Sequence, residues 1–237
     1  KVLDYFNITE ENPFLGWRGI RISLDHPELF LDQLKAMLKA NIGLGNLKIM
    51  LPMISGTEEV DEALGLFEQA YFELNEHFPE QQIDRPDIGI MLEVPSSVFM
   101  LPEWSKKVDF CSVGSNDLTQ YLLAVDRANA RVAELFNPYH PGVLRVLSKI
   151  ASECENYELP FSLCGELGGD PEGAILLIAM GYRRLSMNLS SLNKVKWVLR
   201  RLSVADMEQL LSECLAQSTA KQVLRLTRNF MLEHNLG

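Results

Sequence analysis

Six residues are the candidates for binding an anion or a metal, or for moving a proton. They lie within or just after apolar runs: Arg18, Glu93, Asn116, Asp117, Arg127 and Cys164. Glu93 ends the run IGIMLE, where a carboxylate is costly to bury unless it is paired or binds a cation. If Glu93 and Asp117 end neighbouring strands, they repel each other unless a cation lies between them, and Mg²⁺ prefers such oxygen ligands. The two carboxylates therefore predict a magnesium site.

Each carboxylate also has a purely structural explanation. Glu93 is equally explained as an acid at a helix N-terminus or as a solvent-facing residue at a strand end. Asp117 is equally explained as a charge in the first turn of a helix, with Ser115 or Asn116 as the cap. Position along the chain does not separate these explanations from metal binding.

The arginines indicate what ligand would bind beside the metal. Arg18 and Arg21 flank a glycine in LGWRGIRIS, and Arg127 follows Asp126 in LLAVDRANA. Arginine is suited to bidentate contacts with carboxylate and phosphate groups. The alternative for Arg127 is a surface ion pair of little energetic value. Two or three such arginines near Mg²⁺ predict a phosphorylated carboxylic acid as the ligand.

Cys164, in LCGELGGD, is the cysteine placed to take part in chemistry. A thiol at the end of a strand in an anion site is a plausible proton donor. The alternative is a small buried hydrophobic residue, and we assign that structural role to Cys111, Cys154 and Cys214. The methionines Met50, Met53 and Met91 are predicted to lie in the core. Asn116, beside Asp117, is predicted to donate its amide to an anionic ligand.

Short β-rich runs alternate with longer helical stretches, which indicates an α/β fold with parallel strands. The predicted strands are 47–53, 87–93, 109–114, 160–166 and 184–188, with a weaker sixth within 16–23. The predicted helices are 28–41, 57–77, 96–106, 116–125, 140–156, 171–180, 190–201, 203–216 and 218–234. In a parallel barrel the carboxyl ends of the strands share one face. Glu93, Asp117 and Cys164 are therefore expected to converge.

Composition narrows the class of protein. The chain has 237 residues and a net charge of −10, which argues against nucleic-acid binding. No apolar run approaches the length of a membrane span, and KVLDYFNITEENP has no signal-peptide pattern. The four cysteines form no CxxC pair. We therefore expect reduced thiols in a cytoplasmic protein.

Four blocks of the sequence together resemble one known family. The blocks NPFLGWRGIRI, IGIMLEVPSSVFMLP, VDFCSVGSNDLTQYLLAVDRANARVA and LCGELGGDPEGAILLIAMGYRRLSMN are similar to the C-terminal domain of enzyme I, the phosphoenolpyruvate-protein phosphotransferase. Pyruvate phosphate dikinase and phosphoenolpyruvate synthase share part of this pattern. The form of GWRGIRI, MLEVPSSVFMLP and GYRRLSMN looks closest to the nitrogen-system paralogue. The resemblance implies a (β/α)₈ TIM-type barrel that binds phosphoenolpyruvate and Mg²⁺.

The resemblance also implies roles for the six residues. Glu93 and Asp117 would hold Mg²⁺, and Cys164 would protonate the enolate as it becomes pyruvate. The substrate contacts would come from four residues: Arg18, Asn116, Asp117 and Arg127. The partners implied are an N-terminal phosphohistidine domain of the same protein, a small histidine-phosphorylated carrier protein and a second copy of the chain.

The family's YRTE-like and RTxDxGxDK-like strand motifs do not occur in the sequence, and none of its four histidines has the family's phosphoacceptor setting. We therefore predict that residues 1–237 form one barrel domain of a longer chain, covering strands three to eight, with closing helices at about 203–234. Two other functions remain open. One is a Mg²⁺-dependent 2-oxo acid lyase or aldolase on a similar barrel, and the other is a dimerisation and ligand-sensing module without activity alone.

Overall fold

The computed structural model describes residues 10–236, in which helices alternate with short parallel strands. The strands are β1 (Lys48–Leu51), β2 (Asp87–Leu92), β3 (Phe110–Gly114), β4 (Phe161–Cys164) and β5 (Leu185–Ser186). The α-helices are α1 (Ile20–Asp25), α2 (Pro27–Asn41), α3 (Thr57–His77), α4 (Pro95–Val98), α5 (Leu101–Trp104), α6 (Ser115–Leu123), α7 (Pro141–Asn156), α8 (Glu166–Gly169), α9 (Pro171–Ala179), α10 (Leu189–Leu199), α11 (Val204–Leu215) and α12 (Ala220–Glu233). A short 3₁₀ helix covers Ala133–Leu135.

The described residues cluster into two compact units. The first comprises residues 10–47 and Glu58–Arg85, and therefore α1, α2 and all but the first residue of α3. In this unit Arg85 forms an ion pair with Glu68 at 2.5 Å and lies over the ring of Phe67. The second comprises Lys48–Thr57 and residues 86–236, and it contains all five strands. That the whole chain forms one barrel domain stays a prediction.

The sheet of the second unit is entirely parallel, and its strand order is the order along the chain, β1-β2-β3-β4-β5. The register pairs Ile90 with Cys111 and Val113 with Leu163. These central side chains are fully buried, as expected for strands covered on both faces. The predicted α/β fold of a (β/α) barrel type is confirmed in this all-parallel arrangement.

The helices follow from apolar spacing and end signals. In α7 the buried residues Val143, Leu144, Leu147 and Ile150 fall on one helical face. Proline occupies its first turn, and the Nδ1 atom of His140 accepts a hydrogen bond from the Gly142 N–H. Each of the closing helices, α11 and α12, begins with a capping box, Ser203 with Asp206 and Thr219 with Gln222.

Several sequence expectations need correction. The weak strand within 16–23 is wrong: this stretch forms a turn that leads into α1. Five strands, not six, therefore occur in residues 10–236. The helix predicted at 96–106 is divided into α4 and α5, which Phe99 and Met100 separate.

Two further expectations concern methionine and the chain ends. Met50 was expected in the core but is 36% exposed. The expectation that the N-terminal segment is not a signal peptide concerns mainly KVLDYFNIT (1–9). These nine residues lie outside the described residues. None of the helices within 10–236 has the length and apolarity needed to cross a bilayer.

Candidate functional site

The sequence-predicted carboxylates and the thiol lie together at the carboxyl edge of the sheet. Glu93 directly follows β2, Asp117 lies in the first turn of α6 after β3, and Cys164 is the last residue of β4. The register places Leu92 opposite Val113 and Gly114 opposite Cys164. Three neighbouring strands therefore end beside one another with a polar side chain at each end.

Glu93 is buried rather than solvent-facing. Its residue is 3% exposed, and its Oε1 atom accepts a hydrogen bond of 2.7 Å from the backbone N–H of Met53. A Cβ atom on Gly114 would lie 2.8 Å from Oε2 of Glu93. Only glycine at 114 leaves room for this carboxylate to lie across the end of β3. The solvent-facing alternative for Glu93 is therefore wrong.

Met53 holds Glu93 through an uncommon backbone conformation. Its φ angle is 61°, in the left-handed region that costs a residue with a side chain about 1–2 kcal/mol. Its sulfur accepts a hydrogen bond of 3.7 Å from the hydroxyl of Tyr121 on α6. Sequence reasoning placed Met53 in the core, and it is buried. Its contact with Glu93 shows that it also belongs to the site.

Asp117 fits part of its structural explanation, and its binding of a metal stays a prediction. It is 8% exposed, and it is an acid in the first turn of α6, where the helix dipole favours negative charge. Its Oδ1 atom accepts a hydrogen bond from Nη2 of Arg127 at 3.1 Å. The capping part of the explanation is wrong, because the N-cap is Gly114 and no side chain caps the helix. Ser115 instead donates to the carbonyl oxygen of Cys164 at 3.1 Å.

Asn116 and Gly165 form the junction between α6 and the turn after β4. The Oδ1 atom of Asn116 accepts a hydrogen bond of 3.3 Å from the N–H of Glu166. Gly165 has a φ angle of 128°, and a Cβ atom there would collide with the hydroxyl of Ser115. Glycine is therefore required for β4 to turn past α6 at this distance.

Cys164 is half-buried at the end of β4, close enough to both carboxylates to feel their charge. Its thiol donates to the carbonyl oxygen of Val113 at 3.5 Å. Burial raises the pKa of the thiol, and the negative charges of Glu93 and Asp117 raise it further, while a hydrogen bond with Ser112 opposes the shift. At neutral pH the thiol is therefore protonated and able to donate a proton.

Arg127 reaches the site from the segment that follows α6. Its guanidinium donates to Asp117, and its backbone N–H donates to Oε1 of Gln120 at 3.2 Å. The Arg127 side chain is 32% exposed, so it is accessible to a ligand. Its ion pair with Asp117 is not confined to the surface, because Asp117 is buried.

The remaining candidate arginines lie in the first unit. Arg18 is half-buried, with its guanidinium carbon 5.7 Å from the centre of the Phe14 ring. Arg21 donates through Nη1 to the carbonyl oxygens of Leu15 and Gly16, both at 2.9 Å. Arg21 therefore stabilises its own loop, whereas the ligand contact expected of Arg18 stays a prediction.

The donor set at the carboxyl edge suits a hard divalent cation better than a soft one. Glu93 and Asp117 supply carboxylate oxygens, and no cluster of three or more His, Cys, Asp or Glu side chains suited to a metal occurs within 10–236. Mg²⁺ is commonly bound by one or two carboxylates together with water and substrate phosphate oxygens. Two buried carboxylates beside a half-buried thiol and an arginine fit that pattern.

Sequence reasoning missed three residues of this site: Met53, Ser112 and Gln120. Met53 follows a strand whose carboxyl end lies at the same edge as Glu93, and that position was a usable signal. Ser112 lies within β3, where a single hydroxyl among apolar residues could have been noticed. Nothing in the sequence marked Gln120, because its contact is made across a reversal of the chain.

Comparison with known proteins identifies the family. Residues 1–204 match the family model described as PEP-utilising enzyme, PEP-binding domain. The whole chain is 52% identical to a protein of Escherichia coli K12 named "Phosphoenolpyruvate-dependent phosphotransferase system", over 32% of that protein's length. It is 38% identical to the "Phosphoenolpyruvate-protein phosphotransferase" of Haemophilus influenzae, over 41% of that protein. The chain thus spans 32% to 41% of the length of these two curated relatives.

A solved structure supports the fold independently. The crystal structure of a citrate lyase from Burkholderia xenovorans matches 90% of this chain and 70% of its own, with a TM-score of 0.52 and 15% sequence identity. At that identity the similarity concerns the fold and not the chemistry. The family match, the relatives and the convergence of Glu93, Asp117 and Cys164 agree with the family that the sequence blocks resembled. The chain belongs to the PEP-utilising enzymes, as a PEP-binding domain of that family.

Proposed function

We propose that the chain is the phosphoenolpyruvate- and Mg²⁺-binding domain of a phosphoenolpyruvate-protein phosphotransferase. The observation that carries this proposal is the convergence of two buried carboxylates, a protonated thiol and an arginine at one edge of the sheet. The relatives named as phosphotransferases support the same reaction. We also propose that the protein is the paralogue used in nitrogen regulation, because three of its sequence blocks look closest to that paralogue.

In this proposal Glu93 and Asp117 hold Mg²⁺, which when bound offsets negative charge on the phosphoryl group as the P–O bond loosens. Arg127 contacts the substrate carboxylate or phosphate from its position beside Asp117. Asn116 orients the phosphate, and its place at the start of α6 also favours an anion. Arg18 is assigned as a second arginine contact by resemblance alone.

Cys164 acts after phosphoryl transfer. Loss of the phosphoryl group leaves the enolate of pyruvate, and its methylene carbon must gain a proton. The thiol supplies that proton and becomes a thiolate, which takes a proton from solvent before the next turnover. A raised thiol pKa suits this role, because it keeps the donor loaded near neutral pH.

The full phosphotransferase has further parts in this proposal. The phosphoryl group passes to a histidine of an N-terminal domain of the same protein, then to a small carrier protein. Pairing with a second copy of the chain and a cytoplasmic location belong to the same proposal. The proposal includes no binding to nucleic acid or to a membrane.

Calorimetry with the full-length protein tests the proposal. We expect phosphoenolpyruvate to bind when Mg²⁺ is present and to lose most of its affinity when a chelator removes the metal. We also expect pyruvate release only when a phosphoacceptor histidine is present. Mg²⁺-dependent cleavage of a 2-oxo acid, with no release of pyruvate from phosphoenolpyruvate, would instead establish a lyase. The fold similarity to a citrate lyase does not favour that outcome, because at 15% identity it carries no activity.

A further inference from the structure

We propose that Gln120 is a positioning residue that fixes Arg127 beside the site by accepting a hydrogen bond from its backbone. This inference rests on the proposed function, because the placement of Arg127 matters to catalysis only if the site binds phosphoenolpyruvate. Neither residue composition nor the family match assigns a role to this glutamine. Its role follows from how the chain reverses direction after α6.

The reversal is built at the end of the helix. After Leu123, Ala124 adopts a left-handed conformation with φ of 52° and ψ of 43°. This conformation directs the following residues back along α6. A left-handed residue with a side chain is unfavourable by itself, so contacts made by the returning segment must hold the turn.

Gln120 supplies two of those contacts. Its backbone carbonyl accepts a hydrogen bond from the N–H of Val125 at 3.0 Å. Its side-chain Oε1 atom accepts another from the N–H of Arg127 at 3.2 Å. The glutamine is 3% exposed, so water does not readily replace it as the acceptor. One buried residue therefore fixes the returning segment at two points.

The same helix fixes the other end of Arg127. Nη2 of its guanidinium donates to Oδ1 of Asp117 at 3.1 Å. Asp117 and Gln120 are three residues apart in α6 and thus lie on one face of the helix. Arg127 is therefore held by its backbone and by its side chain on a single rigid element.

This arrangement predicts a specific cost when the glutamine acceptor is lost. The backbone N–H of Arg127 would lack its partner, and the segment would gain freedom that substrate binding must remove again. The loss should therefore appear in the affinity for phosphoenolpyruvate. The Gln120 side chain makes no hydrogen bond to Glu93 or Asp117 among the described residues, and Asp117 pairs with the side chain of Arg127 rather than with its backbone. The Mg²⁺ affinity should therefore change less than the substrate affinity.

The test compares Gln120→Met in the full-length protein with Arg127→Ala and with the double variant. Methionine keeps the length of the side chain, and its thioether sulfur is a far weaker acceptor for the Arg127 N–H than an amide oxygen. We expect Gln120→Met to raise the Kd for phosphoenolpyruvate about tenfold and KM by a similar factor, with a smaller change in kcat. Calorimetry without substrate should give a smaller change in Mg²⁺ affinity than in substrate affinity. Gln209→Met, on the exposed face of α11, is the matched control and should match the wild type.

The double variant separates positioning from packing. If Gln120 acts through Arg127, its effect on substrate affinity disappears in the Arg127→Ala background. Additive effects, or a Gln120→Met variant that binds substrate as tightly as the wild type, would overturn the inference. If Gln120→Met does not fold, Gln120→Asn withdraws the acceptor while keeping a polar side chain, and the same outcomes decide. A wild-type protein that binds no phosphoenolpyruvate would overturn the proposed function itself.

Discussion

The two ends of the sheet each carry acidic side chains, in opposite environments. At the amino end, Lys48 and Asp87 are register partners on β1 and β2, and Nζ lies 2.5 Å from Oδ2. Both side chains are about half exposed. At the carboxyl end, Glu93 and Asp117 are almost fully buried.

This contrast in burial distinguishes acids with a structural role from acids that could bind a ligand in this sheet. An exposed pair is hydrated and contributes little, so its presence needs no ligand to explain it. A buried carboxylate loses hydration and must recover that energy through hydrogen bonds, cations or substrate. At the carboxyl end two carboxylates are buried despite this cost. The same end contains Met53, in a left-handed conformation, and Gly165, where a side chain would collide. Strain and buried charge at one end are typical of a binding site.

The largest contrast is expected from removing one acid at each end. We expect Glu93→Ala in the full-length protein to abolish phosphoryl transfer, because one of the two proposed metal ligands is lost. Asp87→Ala should leave the transfer unchanged. Phosphorylation assays with a titration of Mg²⁺ measure both variants. Equal activity in the two would remove the distinction between the ends and with it the metal assignment.

Thiols in the two halves of the sheet provide the next contrast. Cys164→Ser should slow pyruvate formation about 10²–10⁴-fold while substrate binding persists, since a hydroxyl is a far weaker proton donor. Cys111 is buried within β3, and its sulfur lies 3.6 Å from that of Cys154. Cys111→Ser should lower the stability of the protein without lowering the rate of pyruvate formation per folded molecule. Rapid-quench measurement of pyruvate and phosphohistidine separates the two, and an unchanged pyruvate rate in Cys164→Ser would make that thiol structural.

Two glycines in the strands, Gly114 at the carboxyl end and Gly89 nearer the amino end, allow the same contrast to be tested. In Gly114→Ala the new Cβ would lie 2.8 Å from Oε2 of Glu93, so the carboxylate must move. In Gly89→Ala it would lie 2.5 Å from the ring of Phe110, nearer the amino end. Each overpacking should cost about 1–3 kcal/mol of stability. Only Gly114→Ala should also weaken Mg²⁺ binding, and calorimetry alongside thermal unfolding checks this; equal Mg²⁺ affinity in both variants would contradict it.

The smallest effect is expected at the amino end itself. A double-mutant cycle on Lys48 and Asp87 should give a coupling energy of about 0.2–1 kcal/mol, because both side chains are exposed. Added salt should reduce it further. Chemical denaturation at two salt concentrations measures the coupling. A value of several kcal/mol would mean that the two ends do not differ as proposed.

The sequence predicted the positions of strands and helices well because apolar periodicity and capping signals are local. All five of its stronger strands occur, and α3 spans the predicted 57–77. It also brought Glu93, Asp117 and Cys164 together, since parallel strands end at one edge. It failed at 16–23, where alternation in GWRGIRIS suggested a strand but a helical turn forms. Contacts such as Met53 with Glu93 depend on backbone direction after a strand, and no local pattern encodes that direction.

The order of the strands has a consequence for how the chain is made. Among residues 10–236 each strand pairs with the next strand to be synthesised, so none of these pairings waits for a distant part of the chain. The β2–β3 pair, which brings Glu93 beside Asp117, can therefore form on the ribosome before Cys164 has been translated. The proposed cation-binding half of the site would then be assembled before the proposed proton donor. Pulse-labelled hydrogen exchange on ribosome-bound chains should show backbone amides of β2 and β3 protected first.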